Sequence, residues 1–430
     1  MSIIYDLIFF AVVIIYIPIY LFKKKFHRGI CLRLGILPKN LALDRPIWIH
    51  AVSVGEVMAV RGLVEELRKI FPNKRLVIST VTSTGNKIAR RMAGEGDFIT
   101  YLPLDFSFIV RNVIDKVNPS VFIIAETELW PNLISYLYQK NIPAIVVNGR
   151  ISDSSFRGYL AIRFLIKPIL NKITMFCVQS NRDAQRLICL GVSGNKINIT
   201  GNMKFDVVVY KIESSILAGY RQSLGLSFSD RLFVCGSTHP QEEKAILEVY
   251  KALQKNLSNL KLIIAPRHPE RTVQVEKLII QYNFTPLRIS RLSPTPHTPH
   301  PTPVFILDTV GQLINYYAIA DIVFVGGSLV KRGGHNILEP ASLDKPVIFG
   351  AHMFNFRDIA ELFLINNAAI SVRNTEELKI KIIYLLQNPS RITELTLRAK
   401  ELILTNQGAT RRNLEFIKEE VNKKDDGDQG

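Results

Sequence analysis

The chain alternates short apolar stretches with amphipathic ones along most of its length, and this alternation constrains the fold more than any other feature. In the first half, five stretches have the length and composition of buried strands, and residues with helical spacing lie between them. A parallel sheet produces this pattern, because a crossover helix has to connect each strand to the next. The predicted strands are residues 47–50, 76–79, 121–125, 144–147 and 175–180.

The same alternation restarts after Asp206. The chain has 430 residues, of which 47% are hydrophobic, and this length is enough for two or three domains. We therefore predict two doubly wound, Rossmann-like α/β domains that face a central cleft, with the boundary between residues 205 and 215. The strand-like stretches of the second half are RLFVCGS, KLIIAPRH, VFILD, DIVFVGGS and PVIFGA.

Segments of biased composition set the limits of these domains. Residues 293–303, SPTPHTPHPTP, contain too many prolines for a central strand or a helix, and they are expected to form a solvated loop. The tail that ends in NKKDDGDQG has a composition typical of disorder. We predict an N-terminal segment at 1–25, domains at 26–208 and 209–415, and a disordered tail at 416–430.

The N-terminal segment has the properties of a membrane anchor. The run from Leu7 to Phe22 carries no charge, and the basic stretch KKKFHR follows it directly. No small-residue cleavage site closes the run, which argues against a cleaved signal peptide. The positive-inside rule then predicts a single-pass anchor helix with the globular body on the cytoplasmic side. Asp6 and Pro18 weaken a full crossing, so a helix that lies in one leaflet stays open as the alternative.

The net charge of the chain is strongly positive. Lys and Arg number 54 against 37 Asp and Glu, which gives +17 at pH 7. Such a charge favours anionic partners, namely nucleic acid, phospholipid headgroups or phosphorylated substrates, and it does not choose among them. The 4 cysteines and 8 histidines form no metal-ligand or redox spacing. We therefore predict no metal site, and reduced thiols in a cytoplasmic body.

Glu56 stands where the first predicted strand passes into a helix, in the stretch IWIHAVSVGEV. A glutamate in the first turn complements the helix dipole, so helix capping explains the residue by itself. The same position lies beyond the carboxyl end of a strand, where α/β sheets bind ligands, so a general base is the alternative. The stretch alone leaves both interpretations open.

Two other places in the first half offer candidate side chains. Glu126 and Glu128 follow a predicted strand in AETELWPN, at the position of an active-site loop. Lys204, in GNMKFD, lies at the predicted junction of the domains. Acids at a helix start and a solvated surface lysine are the alternative interpretations of these residues.

The second half contains a glycine-rich segment typical of phosphate binding. In DIVFVGGSLVKRGGHNILEP, the glycine pairs 326–327 and 333–334 precede a helix that is expected to begin near Ile337. Glycines let backbone N–H groups approach a ligand, so we predict a nucleotide phosphate here, with tight turns as the alternative. Glu339 is placed to accept hydrogen bonds from ribose hydroxyls, with an ordinary surface glutamate as the alternative. Arg267, in APRHPER, is placed to bind a phosphate or carboxylate with two hydrogen bonds, with a solvated basic turn as the alternative.

Taken together, the motifs resemble one known family, the 3-deoxy-D-manno-octulosonic acid (Kdo) transferases of lipopolysaccharide synthesis. The resemblance covers residues 1 to 410 or so. It implies the glycosyltransferase-B fold, in which two Rossmann-like domains face a central cleft. It also implies transfer of Kdo from CMP-Kdo to a lipid A precursor, lipid IVA. The motifs occur in the family's order: WIHAVSVGEV, ETELWPNLI, VNGRIS, GNMKFD, GSTHPQEE, APRHPER, FVGGSLVKRGGHNILEP and NFRD.

The resemblance also implies roles for individual residues. Glu56 matches the catalytic base of the family, and Glu126 and Lys204 match positions that stabilise the transition state. The sequence departs from the family at Gln312, where a glutamate is frequent, and at Ile337, where a proline is frequent. The residues that match the CMP-binding segments are Pro266, Arg267, Gly311, Gln312, Leu313, Asn336, Ile337, Leu338 and Glu339.

These roles imply a reaction and a location. A carboxylate can remove the proton of an acceptor hydroxyl while fixed positive groups stabilise the departing cytidylate, so inverting, metal-independent transfer is expected. No cofactor is expected besides the donor substrate CMP-Kdo. The anchor and the positive charge are expected to hold the body against anionic phospholipids of the cell inner membrane, with no role for nucleic acid.

Two other functions stay open at this point. One is another sugar-nucleotide glycosyltransferase of the same fold, such as a lipid A disaccharide synthase. The other is a non-catalytic, membrane-anchored protein that binds anionic ligands. The identity of the donor and the effect of replacing Glu56 distinguish them from a Kdo transferase.

Overall fold

The computed structural model of the chain describes residues 5–7, 9–11, 13–14, 29–206, 212–292 and 303–427. The chain divides into two compact units, of which the first contains Met1–Asp206 and Asn406–Gly430 and the second contains Val207–Thr405. Each unit is built on one seven-stranded sheet of parallel strands. The predicted pair of doubly wound α/β domains is therefore confirmed.

The first sheet has a strand order that reverses once. Its strands are β1 Ile47–His50, β2 Leu76–Thr80, β3 Phe98–Tyr101, β4 Val121–Ala125, β5 Ala144–Gly149, β6 Met175–Val178 and β7 Ile197–Ile199. They lie in the order β3-β2-β1-β4-β5-β6-β7. The chain fills one side from β1 to β3 and then returns to start the other side at β4. This reversal creates a topological switch point between β1 and β4.

Both faces of the first sheet are buried, which is why its central strands read as continuous apolar runs. Successive side chains of a strand point to opposite faces. Trp48 and Phe122 accordingly belong to the core on one face, whereas Ile47, Ile49 and Ile123 belong to the core on the other. All residues of β1 and β4 are buried, so these two strands form the buried centre of the unit.

Several helices of the first unit begin at polar caps that fix where the preceding loops end. Ser53, Thr82, Ser152 and Ser180 each accept a hydrogen bond from the backbone N–H three residues further on. The cap at Ser180 explains why β6 ends at Val178, before the predicted end. The helices are α1 Ile30–Arg33, α2 Val54–Ala59, α3 Arg61–Ile70, α4 Ser83–Met92, α5 Ser107–Val117, α6 Pro131–Gln139, α7 Asp153–Ala161, α8 Arg163–Leu170 and α9 Asn181–Leu190, with 3-10 turns at Gly194–Lys196 and Met203–Phe205.

The second sheet repeats this design. Its strands are β8 Arg231–Thr238, β9 Leu260–Pro266, β10 Thr285–Arg288, β11 Pro303–Ile306, β12 Ile322–Val325, β13 Val347–Gly350 and β14 Ile370–Val372. They lie in the order β10-β11-β9-β8-β12-β13-β14. The switch point of this sheet therefore lies between β8 and β12.

The core of the second unit is formed by strand residues such as Phe233, Ile264 and Phe324, which pack against the surrounding helices. The carboxyl ends of β8, β9, β11 and β12 lie at the same edge of the sheet, because these strands are parallel. The helices are α10 Ser214–Ser223, α11 Glu242–Gln254, α12 Thr272–Gln281, α13 Leu313–Ala318, α14 Leu338–Ser342, α15 Arg357–Ile365, α16 Thr375–Gln387 and α17 Pro389–Asn406, with 3-10 turns at Pro269–Arg271 and Ile289–Arg291.

The C-terminal segment differs from its prediction. Residues 416–430 were expected to be a disordered tail and residues 409–415 to end the second domain, but the structure has a helix, α18, at Ala409–Gly427. Leu414, Ile417 and Val421 of this helix are buried in the core of the first unit. The polar composition near the end of the chain hid this apolar stripe, which recurs at helical spacing and buries one face of the helix.

The predicted membrane anchor falls largely outside the described residues. Of residues 1–25, the structure describes 5–7, 9–11 and 13–14, which are helical. In the part of the chain that the structure describes, no helix is both long enough and apolar enough to cross a membrane. Asp6 accepts hydrogen bonds from the hydroxyl of Ser107 at 2.5 Å and from the amide of Asn132 at 2.7 Å, so it attaches this segment to the first unit. The proline-rich stretch at 293–302 also lies outside the described residues.

Candidate active site

The carboxyl ends of β1 and β4 flank the switch point of the first sheet, where α/β proteins bind ligands. His50 at the end of β1 pairs with Ile124 of β4, so the loops after the two strands leave the sheet side by side. The loop after β1 leads to Glu56, and the residue directly after β4 is Glu126. The structure therefore brings these two predicted site residues to the same edge of the first unit.

Glu56 lies in the first turn of α2, and the loop before the helix holds its carboxylate. The N–H of Val52 donates to Oε2 at 2.6 Å, and the hydroxyl of Ser53 donates to Oε1 at 2.8 Å. Ser53 is the N-cap of the helix and accepts a hydrogen bond from the N–H of Glu56 at 3.5 Å. This reciprocal arrangement resembles a capping box. Glu56 therefore does contribute to helix capping, which was one of the two interpretations that the sequence left open.

The carboxyl group of Glu56 also has an unusual affinity for protons. Burial, and next the charge of Glu126, raise the pKa of Glu56 from 4.5 to about 7, although the hydrogen bonds from Ser53 and Val52 lower it. A general base is most effective when its pKa lies near the working pH. Glu56 therefore has the ionisation expected of a proton acceptor near neutral pH, in addition to its place in the cap.

Glu126 and Lys204 form an ion pair at the same edge. Nζ of Lys204 lies 3.2 Å from Oε1 of Glu126, and the two side chains are 18% and 25% exposed for Lys204 and Glu126 respectively. Glu126 has a φ of +60°, and its N–H donates to the carbonyl of Val147 at 2.9 Å. Left-handed backbone is uncommon at a non-glycine residue and concentrates at functional sites, where neighbouring structure holds it in place.

Glu128 adds a third carboxylate to this edge. Burial, and next the charge of Glu126, raise the pKa of Glu128 above its ordinary value. Glu56, Glu126 and Glu128 thus interact electrostatically with one another, and Lys204 supplies a positive charge beside Glu126. The residues that the sequence placed at an active-site loop therefore form one charged cluster.

In the second unit, the glycine-rich segment after β12 holds a carboxylate of the chain itself. Glu242, at the start of α11, is fully buried. Its carboxylate accepts four backbone hydrogen bonds, from Gly327 at 2.7 Å, His239 at 3.0 Å, and Ser328 and Leu329 at 2.9 Å each. The prediction that the amides of the first glycine pair bind a nucleotide phosphate is therefore wrong for Gly327, because its N–H is already donated to Glu242. Sequence reasoning missed Glu242.

Close packing of the backbone explains these glycines. A Cβ atom on Gly326 would lie 2.5 Å from the carbonyl oxygen of Ser237, at the end of the adjacent strand β8. Gly334 has a φ of +71°, and a Cβ atom there would overlap Met353. The tight-turn interpretation is therefore the one that the structure supports at these positions.

Arg267 lies directly after Pro266, the last residue of β9, at the carboxyl edge of the second sheet. Its N–H donates to the carbonyl of Thr238 at 3.0 Å, and the residue is exposed. Burial, and next the charge of Arg267, lower the pKa of His335, and the same charge opposes the rise that burial causes in the pKa of Glu339. This position suits the predicted role in binding an anion.

Arg271, from the same APRHPER motif, forms an ion pair inside the second unit. Its guanidinium donates to both carboxylate oxygens of Glu243, at 2.8 and 2.9 Å, and Glu243 also accepts a hydrogen bond from the hydroxyl of Thr238. The Glu243 side chain is 2% exposed, so this is a buried, two-pronged ion pair. We conclude that Arg271 joins β9 to α11 and is not available to a ligand.

A histidine pair spans the switch point of the second sheet. Nε2 of His239 lies 3.0 Å from Nε2 of His335, and the rings stack with their centroids 5.3 Å apart. Burial, and next the charge of Arg267, lower the pKa of His335 to about 3, so one neutral ring donates to the other at neutral pH. Sequence reasoning missed this pair, whose members lie far apart in the chain.

Across the described ranges, no three His, Cys, Asp or Glu side chains come together as metal ligands would.

Asn336 organises the start of α14. Its Oδ1 accepts a hydrogen bond from the N–H of Leu338 at 3.1 Å, and its Nδ2 donates to Oε1 of Glu339 at 3.2 Å. Burial raises the pKa of Glu339, whereas the bond from Asn336 and the charge of Arg267 lower it. Ile337 and Leu338 are fully buried, so their side chains pack in the core. Asn336 and Glu339 are the residues of this predicted segment that offer polar side chains.

The remaining predicted segment forms an exposed turn after β11. Gly311 has a φ of +90° and Gln312 is exposed, with its Oε1 accepting a hydrogen bond from the hydroxyl of Thr309 at 2.8 Å. Leu313 is the first residue of α13. The three predicted CMP-binding segments follow β9, β11 and β12, so the structure brings all of them to one edge of the second sheet.

Comparison with known proteins connects these two edges to a family. A family model described as 3-Deoxy-D-manno-octulosonic-acid transferase (kdotransferase) matches residues 28–207. A 3-deoxy-D-manno-octulosonic acid transferase of Haemophilus influenzae is 36% identical over 86% of this chain and 86% of its own length. A bifunctional glycosyltransferase/methyltransferase of Fusobacterium nucleatum is 37% identical over 86% of this chain and 57% of its own length.

The architecture has counterparts among solved structures. A glycosyltransferase from Rickettsia africae aligns over 88% of this chain and 99% of its own, with a TM-score of 0.57 and 18% identity. At this identity the likeness concerns the fold alone, and it agrees with two parallel-sheet domains of the glycosyltransferase-B type. The resemblance seen in the sequence motifs is confirmed by relatives that cover most of the chain. The chain belongs to the 3-deoxy-D-manno-octulosonic acid (Kdo) transferase family of glycosyltransferases.

Proposed function

We propose that the protein transfers Kdo from CMP-Kdo to lipid IVA, with Glu56 as the general base. The observation that carries this proposal is the carboxylate of Glu56 at the switch point of the first sheet, with a pKa of about 7 and the Glu126–Lys204 ion pair at the same edge. A capping glutamate on an exposed helix would keep an ordinary pKa, and it would not need two further carboxylates and a lysine nearby.

In the proposed reaction, an acceptor sugar hydroxyl attacks the anomeric carbon of Kdo while the bond from that carbon to the CMP oxygen breaks. Ionised Glu56 takes the hydroxyl proton, and the electron pair of the broken bond leaves with CMP. A single displacement of this kind inverts the anomeric centre. Lys204, whose position Glu126 helps to fix, stabilises negative charge that develops as the bonds change.

The second unit is proposed to hold the donor. Arg267 binds an anionic oxygen of CMP-Kdo, and Asn336 and Glu339 provide polar contacts at the start of α14. The turn of Gly311, Gln312 and Leu313 borders the same edge and offers backbone groups. These fixed charges and dipoles take the part that a metal ion plays in other enzymes, so the proposed transfer uses no metal and no cofactor besides the donor.

We also propose a place for the protein at the cytoplasmic face of the inner membrane, in contact with anionic phospholipids. The support is the uncharged run from Leu7 to Phe22, the basic stretch after it and the net charge of +17. Phe164, on α8, is 74% exposed and has Arg163 beside it, a combination that suits a lipid surface. Flotation with vesicles of anionic and of zwitterionic lipid tests this part, and equal recovery with both would contradict it.

The experiment that tests the reaction incubates the full chain with CMP-Kdo and tetra-acylated lipid IVA and analyses the lipid by mass spectrometry. The expected product carries added Kdo, and replacement of CMP-Kdo by UDP-linked sugars yields none. Product from a UDP-sugar instead would favour a related transferase such as lipid A disaccharide synthase. Absence of product with every donor, together with retained lipid binding, would favour a non-catalytic binder.

The role of Glu56 is tested with E56Q, which keeps the size of the side chain and removes its basicity. We expect turnover to fall by at least about 100-fold, the usual contribution of a general base, while CMP binding is retained. The matched control is E65Q, because Glu65 is exposed on the next helix and pairs with Arg61 there. Unchanged turnover of E56Q would show that Glu56 is only a helix cap.

A further inference from the structure

The turn that carries Lys204 is fixed by side chains from elsewhere in the first unit. Oδ1 of Asn148, a fully buried residue of β5, accepts a hydrogen bond from the N–H of Met203 at 2.9 Å. Oδ1 of Asn202 accepts a hydrogen bond from the N–H of Lys204 at 3.0 Å. β5 also positions Glu126, the partner of Lys204 in the ion pair, because the carbonyl of Val147 accepts a hydrogen bond from the N–H of Glu126. One strand end thus positions both members of the ion pair.

Asp206 holds the other end of this turn against the C-terminal helix. Its Oδ1 accepts a hydrogen bond from the N–H of Gly408 at 2.6 Å, and its Oδ2 accepts one from the N–H of Thr410 at 2.5 Å. These N–H groups lie at the start of α18, where unpaired donors and the helix dipole attract a negative charge. Asp206 is therefore an N-cap supplied from about 200 residues away in the sequence.

Apolar packing joins the same two segments. Met203 is buried in one core with Ala409, Leu414 and Ile417 of α18. Nε of Arg412 donates to the carbonyl of Thr200, at 2.8 Å, just before the turn. The helix and the turn thus meet through buried side chains and through hydrogen bonds on both sides of Met203.

From these contacts we infer that Asp206 is a positioning residue for Lys204, so that the C-terminal helix is a working part of the active site of the first unit. The inference rests on the proposed role of Lys204 in the transfer. A lysine side chain has many rotamers, and its ammonium stays 3.2 Å from Glu126 only while its backbone is held in one place. Misplacement of a reacting or stabilising group by about 1 Å can reduce a rate by roughly 100-fold.

A double-mutant cycle on the full chain tests the inference. D206A removes both acceptors at the start of α18, and kcat is measured for the wild type, D206A, K204A and the double variant. If Asp206 acts through Lys204, D206A lowers kcat by at least about tenfold in the wild-type background and by less than about twofold in the K204A background. D206N keeps one acceptor oxygen, so it should restore part of the activity.

A matched control separates positioning from general loss of stability. Asp97 also accepts two backbone hydrogen bonds, from Leu76 at 3.1 Å and Gly94 at 2.8 Å, but it lies at the amino edge of the same sheet. D97A should therefore destabilise the first unit and leave kcat unchanged at temperatures well below unfolding. If D206A does not fold, D206N supplies the same cycle with a smaller expected factor.

The possible outcomes separate the inference from the proposed function. Equal losses of kcat from D206A in both backgrounds would show that Asp206 acts independently of Lys204, and the inference would be wrong. Full turnover of K204A would instead overturn the proposed role of Lys204, and with it the reason to position that residue. A fall in kcat that disappears when Lys204 is absent supports both.

Discussion

Nζ of Lys204 lies 3.2 Å from Oε1 of Glu126, although 78 residues separate the two in the sequence. Burial, and next the charge of Glu126 across the switch point of the first sheet, raise the pKa of Glu56. The charge of the lysine, the charge of its partner and the protonation of Glu56 are therefore linked. Each link predicts a separate change that can be measured.

The first prediction concerns the effect of Glu126 on Glu56. E126Q removes a negative charge and should lower the pKa of Glu56, but only in part, because burial is the larger cause of its elevation. We expect the acid limb of the pH profile of kcat/KM, near pH 7 in the wild type, to move down by up to about one pH unit. The residual activity of E126Q is sufficient for this measurement if it exceeds the background of E56Q.

The control for E126Q is E65Q, an exposed carboxylate that should leave the acid limb where it is in the wild type. A limb that does not move in E126Q would mean that Glu126 has no electrostatic effect on the group that titrates. A limb that moves up would contradict the sign of the interaction, since a lost negative charge cannot stabilise the protonated form of a neighbour.

The second prediction concerns stability and pH. The pKa of Glu56 is about 7 in the folded protein against 4.5 for an ordinary glutamate, so the folded state binds more protons than the unfolded state between these values. Stability from this group is therefore lost as the pH rises through that window. A pKa difference of this size corresponds to at most ~3.5 kcal/mol, since one pKa unit is worth about 1.4 kcal/mol.

E56Q does not titrate, so the difference between its free energy of unfolding and that of the wild type should rise by ~2–3 kcal/mol from pH 5 to pH 8. Thermal unfolding of both proteins across this range measures the difference. The expected gain links the site to function, because residues that serve catalysis are often unfavourable for stability. A difference that is constant with pH would contradict the elevated pKa.

The sequence predicted the centre of each sheet and missed its edges. The strands without a prediction were β3, β7, β10 and β14, and these are the four edge strands of the two sheets. Their residues are less buried than those of the central strands, and every residue of β10 is partly exposed. Because an edge strand packs against fewer neighbours, its composition carries a weaker apolar signal.

The sequence indicated where candidate side chains lie, but it did not indicate their contacts. The spacing of strand ends located Glu56, Glu126 and Arg267, since carboxyl ends of parallel strands meet at one edge. Tertiary packing decides which donors reach a buried carboxylate. No sequence pattern indicated that Glu242 accepts hydrogen bonds from the amides of the glycine segment. The cap formed by Asp206 was invisible for the same reason, because it joins segments that are remote in the chain.

The third prediction concerns Arg267 as an anion-binding group. R267A should weaken CMP binding by about 100-fold and R267K by about tenfold, because lysine keeps the charge and loses the two-pronged geometry. Isothermal titration calorimetry with CMP measures both. R267A should also raise the pKa of His335 from about 3, since the charge of Arg267 lowers it, and NMR titration of the ring follows this change.

The control for Arg267 is Arg373, whose side chain is 81% exposed and pairs with Glu377 in the same unit. R373A should leave both the affinity for CMP and the titration of His335 unchanged. If R267A binds CMP as the wild type does while the pKa of His335 rises, then Arg267 is near the histidine pair but does not contact the nucleotide.

The fourth prediction concerns the buried carboxylate of Glu242. In E242Q a side-chain NH2 group replaces one carboxylate oxygen and faces backbone N–H groups that previously donated to that oxygen. Each buried N–H left without an acceptor lowers the free energy of unfolding by about 1–3 kcal/mol. We expect the amides of Gly327, Ser328 and Leu329 to exchange hydrogen at least about tenfold faster, and the segment up to Asn336 to lose its fixed position. CMP affinity should fall with it, because Asn336 and Glu339 follow this segment.

Hydrogen exchange read by mass spectrometry on peptides that cover residues 326–339 measures this effect, with E248Q as the control. Glu248 lies on the same helix, α11, and accepts a hydrogen bond from the hydroxyl of Tyr282 at the surface, so its loss should change stability by less than about 0.5 kcal/mol. Faster exchange in E242Q alone supports an internal carboxylate that shapes the donor site. Equal exchange in both variants would mean that the carboxylate of Glu242 does not hold these amides, which would contradict this prediction.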